Sequence, residues 1–266
     1  MNSLLKLGEM VGRVALVTGG AGHLGLAMAQ ALAEAGAQII LLDLNQIEID
    51  KAVESLSGQY GGDHFGLSVN LAEKADIATV PQYISDRFQQ LDVLINCAAL
   101  VGSSGLKGWA KPFEEQDIDT WEKALEVNIT GAFYLIQQCH NLMKKSSSAS
   151  IINVSSIYGV AGQKMSMYEG MDYLTPAAYA ASKGGLVQLT RYLATVLAPG
   201  IRVNCISPGG IERGQDKVFA ERYVNLTPTG RMGHEEDFKG VTHFLASDLS
   251  AYVTGQNIVV DGGWSL

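Results

Sequence analysis

Thr18-Gly19-Gly20-Ala21-Gly22-His23-Leu24-Gly25 links the run Val14–Thr18 (VALVT) to the small-residue stretch Leu24–Ala35. The run is short, apolar and β-branched, so it reads as a buried strand, and the stretch after it reads as a helix. Gly20, Gly22 and Gly25 fit G-x-G-x-x-G, with Gly19 just before them. Glycines there let the main chain turn tightly and approach a pyrophosphate. The helix start adds unpaired N–H groups and a partial positive charge. Strand, turn and helix in this order point to a dinucleotide at the first βα turn. Asp43 closes the next strand-like run, Gln38–Asp43, 23 residues after Gly20. A carboxylate there accepts hydrogen bonds from the adenosine ribose hydroxyls and repels a 2′-phosphate. No Arg or Lys lies in the loop or directly after Asp43. The reading is therefore NAD, with NADP the less favoured alternative.

Working outward, Phe65–Val69, Val93–Asn96, Ile151–Val154, Ile201–Ile206 and Asn257–Val260 also read as strands, apolar on both faces. Leu71–Phe88, Thr120–Met143, Ala177–Leu197 and Glu235–Ala246 read as helices between them. This alternation predicts an α/β fold: a single-domain, Rossmann-type, doubly wound parallel sheet of about seven strands with helices on both faces. One domain spans residues 1–266. Three segments break the alternation, near 100–113, 160–175 and 209–231. Each follows a strand, so each belongs above the carboxyl edge of the sheet, where open α/β folds bind ligands.

The 266 residues carry 19 Lys plus Arg against 27 Asp plus Glu, a net charge of −8. That balance argues against a nucleic-acid partner, which needs a basic face. No apolar run approaches the ~18 residues of a membrane span, and MNSLLKLGEMVGR lacks a signal-peptide pattern. Three separated cysteines, Cys97, Cys139 and Cys205, suit a reducing cytoplasm and show no zinc spacing. No metal site is expected; His234-Glu235-Glu236-Asp237-Phe238 has Phe where a zinc-protease helix needs its second His.

Tyr179-Ala180-Ala181-Ser182-Lys183 begins the helix Ala177–Leu197, and a spacing of four puts Tyr179 and Lys183 on one face. Asn153-Val154-Ser155-Ser156 ends a strand, Val127-Asn128-Ile129-Thr130-Gly131 lies in a helix, and Ser207-Pro208-Gly209-Gly210 follows the sixth strand. With Leu91-Asp92-Val93-Leu94-Ile95-Asn96 and the closing Val260-Asp261-Gly262-Gly263, the chain resembles the short-chain dehydrogenase/reductase family, classical type, from Val14 to Gly263.

The resemblance implies a catalytic tetrad of Asn128, Ser156, Tyr179 and Lys183. Ser156 is preferred to Ser155 because the family serine is followed by two residues and a glycine, as in Ser156-Ile157-Tyr158-Gly159. A free phenol has a pKa near 10, too high for a base at neutral pH. An ammonium about 4 Å away is worth roughly 4 kcal/mol at an effective dielectric near 20, or about three pKa units. Lys183 is thus expected to draw Tyr179 toward the working range. Tyr179 would then exchange a proton with the substrate oxygen, Ser156 would hydrogen-bond it, and Asn128 would hold a water on the proton path. The resemblance implies cofactor contacts at Gly19, Gly20, Gly22, His23, Leu24, Gly25 and Asp43. It adds Asn70, Leu71, Asn96 and Ala98, then Tyr179 and Lys183. Pro208, Gly209 and Ile211 match the segment that touches the nicotinamide carboxamide.

The chain departs from the pattern in several places. The middle glycine of the family loop falls on His23, expected near the pyrophosphate. Asn70 replaces the usual Asp, Asn96-Cys97-Ala98-Ala99 replaces Asn-Asn-Ala-Gly, and Arg213 stands where a threonine is common. The span from Ser156 to Tyr179 is longer than usual. Its polar insertion suggests a hydroxyl-rich or charged substrate, met by Ser156, Lys164, Tyr168 and Arg213, with Lys107 and Lys217 as further anion partners. Ser156-Ile157-Tyr158-Gly159 followed by Tyr168-Glu169-Gly170 is similar to members linked to bacterial surface-sugar and flagellin-glycan pathways.

The expected activity is NAD-dependent interconversion of a secondary alcohol and a ketone on a sugar-like or acidic small molecule. Two alternatives stand beside it: a cofactor-binding scaffold without turnover, and an epimerase or dehydratase with no net redox change. By the same resemblance, Thr120–Met143 and Ala177–Leu197 pair between subunits in a homodimer or homotetramer.

Overall fold

A computed structural model describes residues 3–102 and 104–266. Ser103, inside the first of the three irregular segments, lies outside the described residues. The chain runs α1 (Leu4–Gly8), β1 (Val14–Thr18), α2 (His23–Glu34), β2 (Gln38–Asp43), α3 (Gln46–Tyr60), β3 (Phe65–Ser68), α4 (Lys74–Ser85) and β4 (Val93–Asn96). It continues through α5 (Ile118–Leu125), α6 (Gly131–Met143), β5 (Ala149–Val154), α7 (Ala177–Val196), β6 (Ile201–Pro208), α8 (Lys217–Asn225), α9 (Lys239–Ala246) and β7 (Asn257–Val260).

Seven parallel strands form one sheet in the order β3-β2-β1-β4-β5-β6-β7. Every residue of β1, β4 and β5 is buried, as two-sided coverage demands. On one face Leu16, Leu94 and Ile151 pack against Ile77 and Ile84 of α4, Leu135 of α6 and Leu193 of α7. On the other, Val17, Ile95 and Ile152 pack against Met28 of α2, Ile49 of α3 and Leu245 of α9. Each fully buried side chain of this size contributes about 1.5–3 kcal/mol. The strand order reverses between β1 and β4, which opens a crevice above their carboxyl ends. The Rossmann-type doubly wound expectation is met within a single domain.

Local differences from the sequence reading have identifiable causes. The helix expected over Thr120–Met143 is broken by a π turn at Glu126–Thr130. Buried Asn128 sits in that turn, its Oδ1 accepting from the Leu100 N–H at 2.7 Å and its Nδ2 donating to Ser182 Oγ at 3.0 Å. The helix expected from Leu71 begins instead at Lys74. Asn70 Oδ1 accepts from the Ala72 N–H, and Asp76 caps the Asn70 N–H, so 70–73 forms a turn. Three helices were not anticipated, the short α1 among them. Asn45 caps α3, whose Ile49, Ala52 and Leu56 face the core, and α8 lies inside the 209–231 segment, capped by Asp216.

Candidate active site

The glycine loop is shaped by close approach. Gly19 has φ 65°, and a Cβ on it would lie 2.9 Å from Ala98 Cα. A Cβ on Gly20 would meet Leu41 at 2.7 Å, and one on Gly25 would run into the Gly19 carbonyl oxygen. Thr18 Oγ1 accepts from the Cys97 and Ala98 N–H groups at 3.0 and 3.1 Å, fastening β1 to the turn after β4. Asp43 Oδ2 accepts from the Ala21 N–H at 3.1 Å, and Oδ1 from the Leu44 N–H at 2.8 Å. Gly22 caps α2 without a side chain, and the N–H groups of His23, Leu24 and Gly25 have no acceptor among the described residues. His23 is exposed there.

The residues beside the loop fit a dinucleotide. Asn96 donates from Nδ2 to Asn153 Oδ1 at 2.9 Å, while its own Oδ1 is buried with no partner among the described residues. Leu71 is a core side chain, leaving only its main chain for a ligand. Along Gly209–Arg213, the N–H groups of Gly209, Gly210, Glu212 and Arg213 find acceptors in Val260 O, Tyr223 Oη, Gly233 O and Gln215 Oε1. The Ile211 N–H has none among the described residues. It is the donor this segment leaves for a ligand carbonyl.

Tyr179 and Lys183 stand one turn apart on α7. Lys183 is 2% exposed, and its Nζ donates to Val154 O at 2.7 Å. Ser155 Oγ donates to Lys183 O at 2.7 Å, so Ser155 serves the main chain of α7. Ser156 is left as the site hydroxyl, and its Oγ also accepts from the Tyr158 N–H at 3.2 Å. Asn128 reaches Ser182, the neighbour of Lys183, across the same cleft. Ser182 Oγ in turn donates to Tyr179 O, so the candidate residues Asn128, Ser156, Tyr179 and Lys183 all gather at the first turns of α7.

The electrostatics correct one expectation. Burial pushes the Tyr179 phenol above its ordinary pKa, and the Ser156 hydroxyl and the Arg213 charge only partly oppose this. The ammonium of Lys183 lies 5.7 Å from the centre of the Tyr179 ring and gives its close hydrogen bond to the Val154 carbonyl, and burial prevails over its pull on the phenol. Burial lowers Lys183 itself to about 8. Cys97 is pushed up to about 11 by burial against the pull of Lys183 and Arg213. Sequence reading missed Cys97 as a neighbour of both Lys183 and Tyr179.

The expected substrate residues divide. Arg213 remains at the site: its Nε donates to Glu235 Oε1 at 3.2 Å, its side chain is 39% exposed, and its charge is felt by Tyr179 and Cys97. Lys164 and Tyr168 are instead tied into the fold. Lys164 Nζ donates to Trp264 O at 2.6 Å and lies 4.4 Å from that indole's ring centre. The buried Tyr168 hydroxyl joins those of Tyr158 and Thr175, each at 2.7 Å. Within the insertion Lys164 and Tyr168 thus turn their polar ends inward while Glu169 and Asp172 stay exposed, a division that no spacing in the sequence signals. Lys107 pairs with Asp117 at 2.7 Å, and Lys217 opens α8 on the exposed surface.

A family model described as Enoyl-(Acyl carrier protein) reductase matches residues 19–265. The 3-oxoacyl-[acyl-carrier-protein] reductase of Chlamydia pneumoniae is 33% identical over 262 residues, covering 96% of this chain and 97% of that protein. This chain belongs to the short-chain dehydrogenase/reductase family. Another family member, the D-threitol dehydrogenase of Mycolicibacterium smegmatis, is 30% identical over 264 residues, covering 96% and 94%. A gluconate 5-dehydrogenase from Burkholderia cenocepacia, solved with NADP and tartrate, superposes with a TM-score of 0.87 at 29% identity, covering 98% of each chain. As a short-chain dehydrogenase/reductase, the protein is an oxidoreductase acting on CH–OH groups with NAD(P). Among the described residues no helix is long and apolar enough to cross a membrane.

Proposed function

We propose that the enzyme interconverts a secondary alcohol and a ketone using NAD, on a polar, sugar-like or acidic small molecule. The observation that carries this is the convergence of Tyr179, Ser156 and the Arg213 charge beside the crevice of the glycine loop. The cofactor would supply the hydride chemistry, accepting it as NAD and returning it as NADH. His23, Leu24 and Gly25 would hold its pyrophosphate through their N–H groups, Asp43 its adenosine ribose, and Ile211 its carboxamide. Asp43 supports NAD over NADP, because its carboxylate already faces the loop through Ala21.

The chain's own groups handle the proton. Tyr179 donates its phenolic proton to a substrate carbonyl oxygen in reduction, and in oxidation its phenolate, formed once that proton has left, accepts the proton of the alcohol. Ser156 donates a hydrogen bond to the same oxygen. Lys183, held by Val154, stays largely an ammonium near neutrality and fixes the positive end of the proton path. Arg213 offers its outer guanidinium nitrogens to a substrate carboxylate or phosphate while Glu235 holds Nε.

A homodimer or homotetramer through α6 and α7 is part of the proposal. Phe133, Tyr192 and Val196 are 40%, 58% and 51% exposed on those helices and line a shallow groove between them. Three free cysteines suit the cytoplasm. The test is a panel of polyols, sugar acids, hydroxy acids and phosphorylated sugars with NAD, followed as NADH absorbance. Turnover on acidic or polyhydroxy alcohols is the expected result; a preference for long acyl substrates contradicts the substrate class.

A further inference from the structure

Tyr223 lies on α8, outside every motif of the chemistry, yet it is 2% exposed and its side chain reaches the carboxyl end of β6. Its hydroxyl accepts from the Gly210 N–H at 2.6 Å. The two glycines there leave room for it. A Cβ on Gly210 would lie 2.8 and 2.9 Å from Cε2 and Cζ of the Tyr223 ring, and one on Gly209 would lie 2.9 Å from its hydroxyl. The double glycine after Pro208 is therefore fitted to a tyrosine ring beneath it.

The ring is itself held from behind. It stacks on Trp264 with centroids 5.6 Å apart and planes 11° from parallel. Trp264 is fully buried, with Lys164 hydrogen-bonded to its carbonyl and lying 4.4 Å from its ring centre. The Asp261 carboxylate accepts from the Gly263 and Ser265 N–H groups and so shapes the turn that presents the indole. An unbroken series of contacts thus runs from the insertion through the carboxyl-terminal turn and α8 to Gly210.

We propose that Tyr223 is a positioning residue for the nicotinamide end of the cofactor. By fixing Gly210 it sets the aim of the adjacent Ile211 N–H, the donor that segment leaves without a partner among the described residues. This rests on the reading that Pro208–Ile211 meets the nicotinamide. A donor held in place before binding loses less freedom when the ligand arrives, so the preorganisation appears as affinity. Trp264 and Lys164 act through Tyr223 by keeping its ring against the glycines.

The experiment compares two ligands on wild type and Tyr223→Phe, which keeps the stacked ring and removes the acceptor. NADH carries the nicotinamide, and ADP-ribose lacks it while keeping the adenosine and both phosphates. By titration calorimetry, Tyr223→Phe is expected to bind NADH about tenfold more weakly, about 1.4 kcal/mol. It is expected to bind ADP-ribose within about twofold of wild type, which also shows the variant folded. A variant with only a general structural defect weakens both ligands alike. Equal losses for the two, or no loss for NADH, overturn the positioning role. A wild-type protein that binds neither ligand overturns the cofactor reading itself, and this proposal with it.

Discussion

Lys183 lies 5.7 Å from the centre of the Tyr179 ring while giving its close hydrogen bond, 2.7 Å, to the Val154 carbonyl. The lysine is thus anchored to the end of β5, while Ser156 and Arg213 draw the Tyr179 pKa down against burial and Cys97. In the proposed reaction one side chain fixes the charge and the other moves the proton. This division has consequences for stability as well as for rate.

Burial lowers Lys183 from 10.5 to about 8. Between those two values the unfolded chain still binds the proton that the folded chain has released. Wild type therefore gains stability as pH rises through this window, and below about 8 it carries the full cost of a buried ammonium. Lys183→Met has no such dependence. The melting temperature of the variant minus that of wild type is expected to fall from pH 7 to pH 10 by roughly 4–8 °C, for a change on the order of 2 kcal/mol. Turnover of the variant is expected to drop at least a hundredfold. A difference in melting temperature that is flat with pH contradicts the assignment.

Arg213 lowers the Tyr179 pKa through its charge and is exposed enough to meet a ligand. Arg213→Gln is expected to raise KM for a hydroxy acid or sugar acid about tenfold, while KM for an uncharged polyol changes by less than about threefold. The limb on which the oxidation rate rises with pH should also move to higher pH, because a cation that favoured the phenolate is gone. Initial-rate profiles on the two substrate types check both effects.

Much of this was legible in the residues. β1, β2 and β4 begin and end where their apolar runs do, because burial on both faces leaves no ambiguity about such strands, and the edge strand β7 matches its apolar run as well. The candidate tetrad rests on the family resemblance, which Tyr179 and Lys183 carry on α7, Ser156 after β5 and Asn128 in the turn before α6. Other features depend on contacts distant in sequence. The π turn at Asn128 exists to meet Leu100 and Ser182, and the inward turn of Lys164 and Tyr168 depends on Trp264 and Thr175. The helix α3 was missed although Asn45 and the apolar positions Ile49, Ala52 and Leu56 carry its cap and period. Its outer face is polar enough to resemble a loop.

Asp43 holds the Ala21 N–H with one carboxylate oxygen, so a test of cofactor choice must keep an acceptor there. Asp43→Asn keeps one and removes the charge. The ratio of kcat/KM for NADP to that for NAD is expected to rise at least tenfold, with melting temperature within a few degrees of wild type. An unchanged ratio assigns the preference to other residues.

The account turns on the phenol of Tyr179. Tyr179→Phe removes one oxygen from a site whose ring packs beside Trp109, Trp121 and Ala178. The deciding measurement is NADH formation by wild type and Tyr179→Phe on the best alcohol of the panel, with NADH affinity measured on both. The account predicts a loss of turnover of at least a thousandfold, about 4 kcal/mol, with affinity unchanged within about threefold. A variant that retains more than a tenth of wild-type turnover contradicts it.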